Sequence, residues 1–337
     1  MAYTTIDNPE LYFQNKLYTG TGSTLSVTLD GDTDMQPDLI WIEVRNQSSS
    51  AMIQDAVRGT DGTSYRASKP SADSAETTNA GFLTTIGSDG FTVGTNGKFN
   101  ASSDTYVASC WKETADAGFD IVAFEGTGSA RTISHSLSAV PHLMITKQRE
   151  DPGGGSNSWN VYHHKNTSAP ETDFLMLSSD AATADSVNRW NDTAPSSTLI
   201  TFGQENQING PSYTYVAYAW SEVQGYSKFG TYKGNGNADG TFVYTGFRPA
   251  WIMSKISSDA DDWILTNSKI SPFNPVEKYN EANQTASELT SIEVDFLSNG
   301  FKWRHTDNQF NAAETYIYAA FAEAPFVNSK GVPCNAR

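Results

Sequence analysis

Aromatic and histidine side chains lie together near the middle of the chain, in a mixture that can bind a sugar or a metal ion. Aromatic rings stack on sugars, and imidazoles coordinate metals. The candidate glycan-binding residues are Trp159, Tyr162, His163, His164 and Trp263. However, Trp159 shares a strand face with Val161, and large aromatic residues are mostly buried. We therefore favour core packing for the two tryptophans and keep glycan binding as the alternative.

Three aspartates could bind calcium in the loop before the first long apolar run. Asp30, Asp32 and Asp34 alternate with other residues, as at the start of a calcium-binding loop. The sixth position of such a loop requires glycine and the twelfth requires glutamate. Met35 and Trp41 occupy these positions, so the motif fails. An irregular Ca²⁺ site at these three aspartates, or around Asp259, Asp261 and Asp262, is the alternative, and we favour a solvated acidic loop.

The sequence motifs of common enzyme classes are missing. The chain contains no Gly-x-Ser-x-Gly, His-Glu-x-x-His, Cys-x-x-Cys or Gly-x-x-x-x-Gly-Lys. Three Gly-x-Gly pairs occur at residues 20–22, 126–128 and 234–236. No helix follows them to receive a phosphate, so they predict turns. The sequence therefore predicts a protein that is not an enzyme and has no cofactor other than the candidate Ca²⁺.

The elements that would hold these residues are repeated three times. Residues 105–113 read TYVASCWKE, residues 214–222 read TYVAYAWSE and residues 315–323 read TYIYAAFAE. This period of about a hundred residues indicates duplicated domains, because solenoid repeats are shorter. The predicted units are an N-terminal arm (1–15), three repeats (16–113, 119–222 and 228–323) and a C-terminal tail (324–337). The connections are too short to be flexible linkers, so the repeats should pack closely.

Each repeat reads as a series of short β-strands. Val107 and Trp111 lie on one strand face and have bulky apolar counterparts in the other copies, so this face is predicted to be core. One equivalent position carries Asp55, His163 and Asn267, and this variation argues against a shared catalytic group.

Frequent turn signals, among them the hairpin signal at residues 89–91, predict an all-β protein. Amphipathic helices are lacking, and residues 185–190 are a candidate for a single helical turn at most. A third strand of each repeat places Ile53, Val161 and Leu265 at one inward position. The predicted fold is three tandem antiparallel β-sandwich domains, jelly-roll or lectin-like.

Composition narrows the range of partners. The chain of 337 residues carries 38 acidic and 22 basic residues, a formal net charge of −16. Nucleic acid is excluded as a partner, because neutralising phosphates requires an excess of Lys and Arg. No run of about 20 apolar residues could insert into a membrane, and the beginning of the chain lacks a signal-peptide profile. We expect the protein to be made in a cytoplasm.

The N-terminal arm carries apolar residues that a solvated end would not need. Leu11, Tyr12 and Phe13 lie within it. Such a segment either folds onto the first repeat as an edge strand or docks on a neighbouring protein during assembly. We predict that these three residues form an assembly arm and keep the edge strand as the alternative.

The complete pattern resembles a known family. An aromatic residue before Gly-x-Gly is followed by Pro-x-Leu-Ile-Trp-Ile, by Asp-Gly-Phe and by Thr-Tyr-Val-Ala with a terminal Trp. This order is similar to a tandem β-sandwich repeat of virion structural and tail-fibre proteins from marine tailed phages, cyanophage- and pelagiphage-like. The second copy departs from it by lacking Asp-Gly-Phe and by inserting DPGGGS at residues 151–156.

The resemblance implies a non-enzymatic virion structural protein, a tail or fibre component for host-surface adhesion or virion assembly. It implies a location in the virion after synthesis in the bacterial host cytoplasm. Other virion proteins, a homo-oligomer with a trimer favoured, and a host surface glycan are the expected partners. The alternatives are a capsid decoration or head-fibre protein, a glycan-binding lectin and a glycan depolymerase. Two facing acids in a cleft would favour the depolymerase, and exposed aromatics beside an acidic loop would favour the lectin.

Overall fold

A computed structural model describes residues 2–150 and 157–334. Strands make up 42% and helices 6% of the chain, which confirms the all-β class. Every strand pair in the described residues is antiparallel, as predicted. The DPGGGS insertion at residues 151–156 lies outside the described residues.

The first repeat contributes two sheets. Its strands are β1 (Phe13–Thr19), β2 (Leu25–Thr28), β3 (Leu39–Val44), β4 (Met52–Asp55), β5 (Ala67–Ser68), β6 (Leu83–Gly87), β7 (Gly90–Val93) and β8 (Thr105–Trp111). One sheet has the order β1-β8-β3-β4-β5 and the other β2-β7-β6. The predicted hairpin turn at Asp89 is confirmed, because Gly87 pairs with Gly90 and Phe91 enters β7 buried.

The second repeat has the same arrangement. Its strands are β9 (Phe119–Glu125), β10 (Arg131–Ser134), β11 (Leu143–Gln148), β12 (Asn160–His163), β13 (Asp173–Met176), β14 (Ala184–Asp185), β15 (Leu199–Phe202) and β16 (Thr214–Trp220). The larger sheet has the order β14-β13-β12-β11-β16-β9, and β10 pairs with β15. This pair corresponds to β2 and β7 of the first repeat, and among the described residues no strand corresponds to β6 of the Asp-Gly-Phe hairpin.

The third repeat forms one continuous sheet of eight strands. They are β17 (Ser227–Lys233), β18 (Phe242–Tyr244), β19 (Phe247–Ile256), β20 (Ile264–Asn267), β21 (Val276–Glu281), β22 (Leu289–Leu297), β23 (Gly300–Trp303) and β24 (Thr315–Pro325). Their order is β17-β24-β19-β20-β21-β22-β23-β18. The longer β21 and β22 join what are two separate sheets in the first repeat.

Helical structure in the described residues is limited to single turns. These are α1 (Gly97–Asn100), α2 (Val187–Trp190), α3 (Asn206–Asn209) and the 3₁₀ turns Pro9–Leu11 and Ala115–Ala117. The single turn predicted between Asp185 and Trp190 is confirmed by α2. The turns α1 and α3 follow no amphipathic pattern and were not predicted.

Each repeat encloses an apolar core of its own. In the first repeat, Tyr106, Ala108 and Cys110 of β8 pack with Phe91 of the second sheet. Separate clusters of buried residues fill the second and third repeats in the same way. These residues lie on the face of β8 opposite Trp111, so the central strands are buried on both faces. For β8, the predicted core face was the one that carries Val107 and Trp111.

A fourth core is shared by all three repeats. The rings of Trp111 and Trp220 lie 6.5 Å apart, and that of Trp111 lies 5.6 Å from Phe321 and 5.4 Å from Trp251. The same cluster includes Ile53 and its counterparts in the other repeats. A cavity of about 20 Å³ with apolar walls lies between these rings. The close packing predicted from the short connections is therefore present, and it takes the form of a common centre.

The Gly-x-Gly pairs are turns held by a buried asparagine. The Asn100 side chain accepts a hydrogen bond from the Thr21 N–H at 2.7 Å, and Asn209 and Asn311 hold the equivalent loops. A Cβ on Gly20 would lie 2.1 Å from the carbonyl oxygen of Ala101, so only glycine fits. The turn interpretation is confirmed.

Three seams join the repeats into a closed ring. We call the first–second, second–third and third–first contacts the first, second and third seam. One backbone hydrogen bond recurs at all three: Glu76 N–H to Arg149 O (2.8 Å), Thr183 N–H to Ser257 O (3.0 Å) and Glu288 N–H to Arg45 O (2.9 Å). The acceptors occupy equivalent positions at or just after the ends of β3, β11 and β19. The same backbone geometry therefore closes every seam.

The N-terminal segment completes the third seam. The Tyr3 hydroxyl donates to the Gly246 carbonyl oxygen at 2.7 Å, and Asp7 accepts two hydrogen bonds of 2.6 Å from Ser329 near the other end of the chain. Ile6 is buried in the shared core. Both ends of the described chain thus meet at this seam.

These contacts correct the prediction of an assembly arm. Phe13 is the first residue of β1 and is buried in the shared core, 5.2 Å from the ring of Phe321. The ring of Tyr12 lies against Tyr226 at 6.0 Å, and Leu11 ends the first 3₁₀ turn. The arm binds within the molecule, because Phe13 pairs with Trp111 on the edge of β8 and the residues before it lie along the third repeat.

Candidate functional site

A groove lies at the third seam, between the N-terminal segment and the loop of residues 268–275. It consists of two adjoining cavities of about 320 and 860 Å³. The residues common to both cavities are Glu10, Arg248, Pro272, Phe273 and Glu323. The strands β19 and β24 supply Arg248 and Glu323 from the wall of the groove. We call this region the Phe273 groove.

Phe273 stands at the edge of the groove with its ring in solvent. Its side chain is 82% exposed, whereas the other exposed large hydrophobic residues of the described chain range from 38 to 54%. The loop that carries it is fixed on both sides. The Asn267 side chain accepts hydrogen bonds of 3.0 Å from the N–H groups of Lys269 and Ile270. The Asn274 amide makes two hydrogen bonds of 2.9 Å with the backbone of Phe296.

The opposite wall of the groove is polar and also ordered. Arg248 donates to Glu323 at 3.0 Å and to the Phe296 carbonyl oxygen at 2.6 Å. Gln14 donates to the Glu10 carbonyl oxygen at 2.9 Å. These bonds hold a guanidinium, an amide and carboxylates along one surface, where they can donate to and accept from a hydroxyl-rich ligand.

The predicted aromatic site is packed inside the protein. Trp159, Tyr162, His163 and Trp263 are each at most 3% exposed, and His164 is half-buried. The Trp159 indole donates to the Lys69 carbonyl oxygen at 2.7 Å across the first seam, and the Trp263 indole donates to the Met176 carbonyl oxygen at 2.9 Å across the second. The preferred interpretation of both tryptophans as core residues is confirmed. A ring enclosed by protein has no face to offer a sugar.

The histidines instead form a cluster at the second seam. His163 bonds to the Tyr318 carbonyl oxygen at 3.1 Å and His164 to the Phe229 carbonyl oxygen at 2.7 Å, both in the third repeat. The ring of His142 lies 4.3 Å from that of His164. Burial lowers the pKa of His163 to about 3 and the pKa of His164 to about 4. The charged groups that face this cluster are Glu222, Lys165 and Lys228.

The first seam contains charged groups where the second has histidines. Asp55 and Arg58 form an ion pair whose side chains are completely buried, and Arg58 also lies 3.5 Å from Glu76. The Tyr218 hydroxyl of the second repeat donates to Asp55 at 2.7 Å. Arg149 binds Glu76 with two hydrogen bonds of 2.9 and 3.0 Å. A connected ionic network thus crosses this seam.

The acidic loop near the N-terminus lies beside the Phe273 groove. Asp30, Asp32 and Asp34 are exposed, and Asp30 also lines the groove. Asp30 pairs with Lys16, and the Asp32 N–H donates to Glu10 at 3.1 Å. In the described part of the chain, no group of three or more His, Cys, Asp or Glu residues is arranged to hold a metal ion. The favoured interpretation as a solvated acidic loop agrees with this geometry.

Sequence reasoning missed Phe273. It lies in a Ser-Pro-Phe-Asn-Pro stretch, where two prolines indicate a loop and a large aromatic residue is out of place. A large aromatic residue between two prolines is the sequence pattern that could have identified Phe273. The neighbouring strands give no such signal, because their apolar residues are explained by burial.

The fold and the groove together describe an all-β protein of three closely packed repeats with a cleft between the first and the third. The chain belongs to a family defined by a domain of unknown function, DUF7483, whose model matches residues 8–325. The match spans all three repeats and begins within the N-terminal segment. No curated protein and no solved structure matches the chain. Among the described residues, no helix has the length and apolar character required to span a membrane.

Proposed function

We propose that this chain is a non-enzymatic structural protein of a tailed-phage virion, located on the tail or a fibre, where it mediates host-surface adhesion or virion assembly. The observation that carries the proposal is the closed ring of three repeats around one aromatic core. Such a molecule is rigid and presents a constant surface, which suits an exposed particle component. The sequence resemblance to virion proteins of marine tailed phages supports the same role.

The proposed architecture is three tandem antiparallel β-sandwich domains, jelly-roll or lectin-like. Its support is the separate apolar core of each repeat and the recurrence of equivalent strands in the same order. Because the three repeats also share the core around Trp111, we expect them to fold and melt as one unit.

We keep the non-enzymatic role because the sequence motifs of common enzyme classes are missing. The buried Asp55, His163 and Glu43 do not line the Phe273 groove, and burial raises the pKa of Glu43 to about 8. The carboxylates of Glu10 and Glu323 do line the groove, so the glycan depolymerase stays an alternative. The resemblance to virion proteins adds no catalytic motif.

A homo-oligomer, with a trimer favoured, remains part of the proposal. The ring offers an alternative, because one chain already contains three equivalent seams that close on themselves. A single copy could then occupy a threefold-symmetric position of a particle. Native mass measurement distinguishes the two: a trimer at micromolar concentration supports the oligomer, and a monomer supports one chain per position.

The proposal is tested by locating the protein in particles. Antibody labelling and an imaged virion should place it on the tail or its fibres. Density on the head would instead identify the capsid decoration alternative. Purified virions that lack this chain would contradict the proposal.

A further inference from the structure

We propose that the Phe273 groove binds a neutral glycan, with the ring of Phe273 as the platform for one face of a sugar. The inference rests on the proposed function, because adhesion to a host surface requires a recognition site. The Phe273 groove is a different place from the aromatic cluster around Trp159.

The exposure of Phe273 has no explanation within the fold. At 82% exposed, Phe273 contributes almost nothing to the stability of the fold. An aromatic ring beside convergent polar groups in a cleft is the usual composition of a small-molecule site. An apolar ring face of a sugar would cover this side chain and leave the hydroxyl groups of the sugar at the edges.

The loop presents Phe273 in a fixed position. Asn267 holds the start of the loop through two backbone N–H groups, and Asn274 holds its end through both the N–H and the carbonyl oxygen of Phe296. Ile270 is buried between these two anchors. A ligand therefore meets a preorganised ring and does not have to order a flexible loop, which favours affinity.

The polar wall selects a hydroxyl-rich and uncharged ligand. The carboxylates of Glu10, Asp30 and Glu323 line the groove, together with the cations of Arg248 and Lys269. Carboxylates accept hydrogen bonds from hydroxyl groups, and the guanidinium donates to hydroxyl or ring oxygens. With Asp7 of the adjoining cavity, four carboxylates stand against two cations, which on a chain with a net charge of −16 disfavours an acidic sugar.

The Phe273 groove differs from the depressions at the other two seams. A depression at the first seam is lined by charged residues such as Arg66, Glu76 and Arg149. One at the second seam is lined by hydroxyl-bearing and amide residues, including Thr183 and Ser257. Among the described residues, neither lining includes an aromatic side chain, and both depressions adjoin the backbone hydrogen bond that recurs at every seam. The Phe273 groove lies elsewhere on its seam, away from that bond.

The experiment uses the full-length protein and an array of immobilised neutral and acidic oligosaccharides, followed by calorimetric titration with the strongest neutral binder. Phe273→Ala should raise the dissociation constant about tenfold or more, as expected for loss of a central aromatic contact. Phe273→Trp should retain binding. Glu323→Gln should weaken binding by a smaller factor. Phe242→Ala, which removes an exposed aromatic residue outside the groove, is the matched control and should bind as the wild type does.

Three outcomes would overturn the inference. They are no oligosaccharide bound by the wild type, equal affinity of the wild type and Phe273→Ala, and selective binding of acidic oligosaccharides. If Phe273→Ala bound the glycan as the wild type does but was no longer incorporated into particles, the second of these outcomes would hold, and the occupant of the groove would be a virion protein.

Different results would contradict the glycan site and the virion role. Glycan binding by a chain that is absent from virions would support the groove and contradict the virion role. A chain that is present on the tail but binds no glycan would support the virion role and contradict the groove. Melting temperatures of all variants confirm that the fold is intact.

Discussion

The first and second seams join equivalent surfaces with different chemistry. At the first seam, the buried ion pair of Asp55 and Arg58 lies within the first repeat, and Asp55 accepts a hydrogen bond from Tyr218 of the second repeat. Arg149 of the second repeat makes a bidentate contact with Glu76 of the first. At the second seam, neutral histidines bond to backbone carbonyl oxygens of the third repeat. Both seams keep the same backbone hydrogen bond and the same shared core. The geometry therefore depends on backbone bonds and apolar packing, while the polar side chains can change from seam to seam.

This contrast has an electrostatic consequence. A buried ion pair is sensitive to removal of one partner, because the other charge is left without compensation. Buried neutral histidines are sensitive to acid, because the unfolded chain accepts protons that the folded chain excludes. The two seams should therefore respond to different perturbations.

The largest effect is expected at the core that both seams share. Trp220→Ala should lower the free energy of unfolding by about 3–5 kcal/mol, because it removes a buried aromatic ring and leaves a cavity. The ring of Trp220 is 5% exposed and stacks on Phe119 at 4.7 Å. Urea unfolding monitored by circular dichroism measures the change. Phe242→Ala, on an exposed side chain, should alter stability by less than about 1 kcal/mol. A change below about 1 kcal/mol for Trp220→Ala would place its ring at the surface.

Removing one charge should break the first seam selectively. Arg58→Met should cost about 3 kcal/mol at neutral pH, because Asp55 would be left as a buried carboxylate without its cation. Chemical denaturation provides the measurement. Lys302→Met is the control: its partner Asp239 is exposed and also binds Arg304, so a loss below about 1 kcal/mol is expected. Equal losses in free energy of unfolding for the two substitutions would show that the buried ion pair is no more important for stability than the exposed one.

Acid should weaken the second seam through His163. The pKa of His163 is lowered to about 3 in the folded protein, against an ordinary value near 6.5. Below about pH 6.5 the imidazole of His163 binds a proton in the unfolded chain, whereas the buried imidazole of the folded protein stays neutral down to about pH 3. The free energy of unfolding therefore falls as the pH decreases from about 6.5 towards about 3. His163 alone should account for about 2–3 kcal/mol between pH 6.5 and about pH 4.5.

His163→Asn tests this by installing the residue that the third repeat carries at the equivalent position, Asn267. The variant should show a flatter decline of stability with acid, measured by urea unfolding at several pH values. At about pH 7.5 the histidine is neutral in both the folded and the unfolded protein. The difference in free energy of unfolding between the wild type and the variant at that pH therefore reports packing alone. An unchanged slope below pH 6.5 would exclude His163 as the acid-sensitive group.

The smallest effect is expected at the third seam, where the N-terminal segment completes the ring. Deleting residues 1–8 should lower the free energy of unfolding by about 1–2 kcal/mol, because the burial of Ile6 is partly offset by the entropy of ordering the segment. Thermal melting and incorporation into particles are measured together. An unchanged melting temperature with loss of incorporation would show that the segment docks on another protein and would restore the assembly-arm prediction.

Much of the fold followed from local pattern. The central strands, the inward position of Ile53 and the hairpin before Phe91 agree with the structure, because each depends on alternation or on turn chemistry over a few residues. The core positions of Trp159 and Trp263 followed from strand parity. The candidate site did not follow, since Phe273 and Glu10 are more than 260 residues apart in the chain and come together only when the ring closes.

The sequence by itself determined the period of the repeat, the β-strands, and the residues that must be buried, because these features repeat in register. The tertiary structure decided what covers each buried face. Both faces of β8 are apolar, and nothing local distinguishes the face that packs within the repeat from the face that carries Trp111 to the shared core. It also decided the chemistry of the seams and the path of the N-terminal segment, since contacts such as Asp7 with Ser329 join residues 322 positions apart. Local periodicity indicates that a side chain is buried, but its partner depends on how distant segments pack.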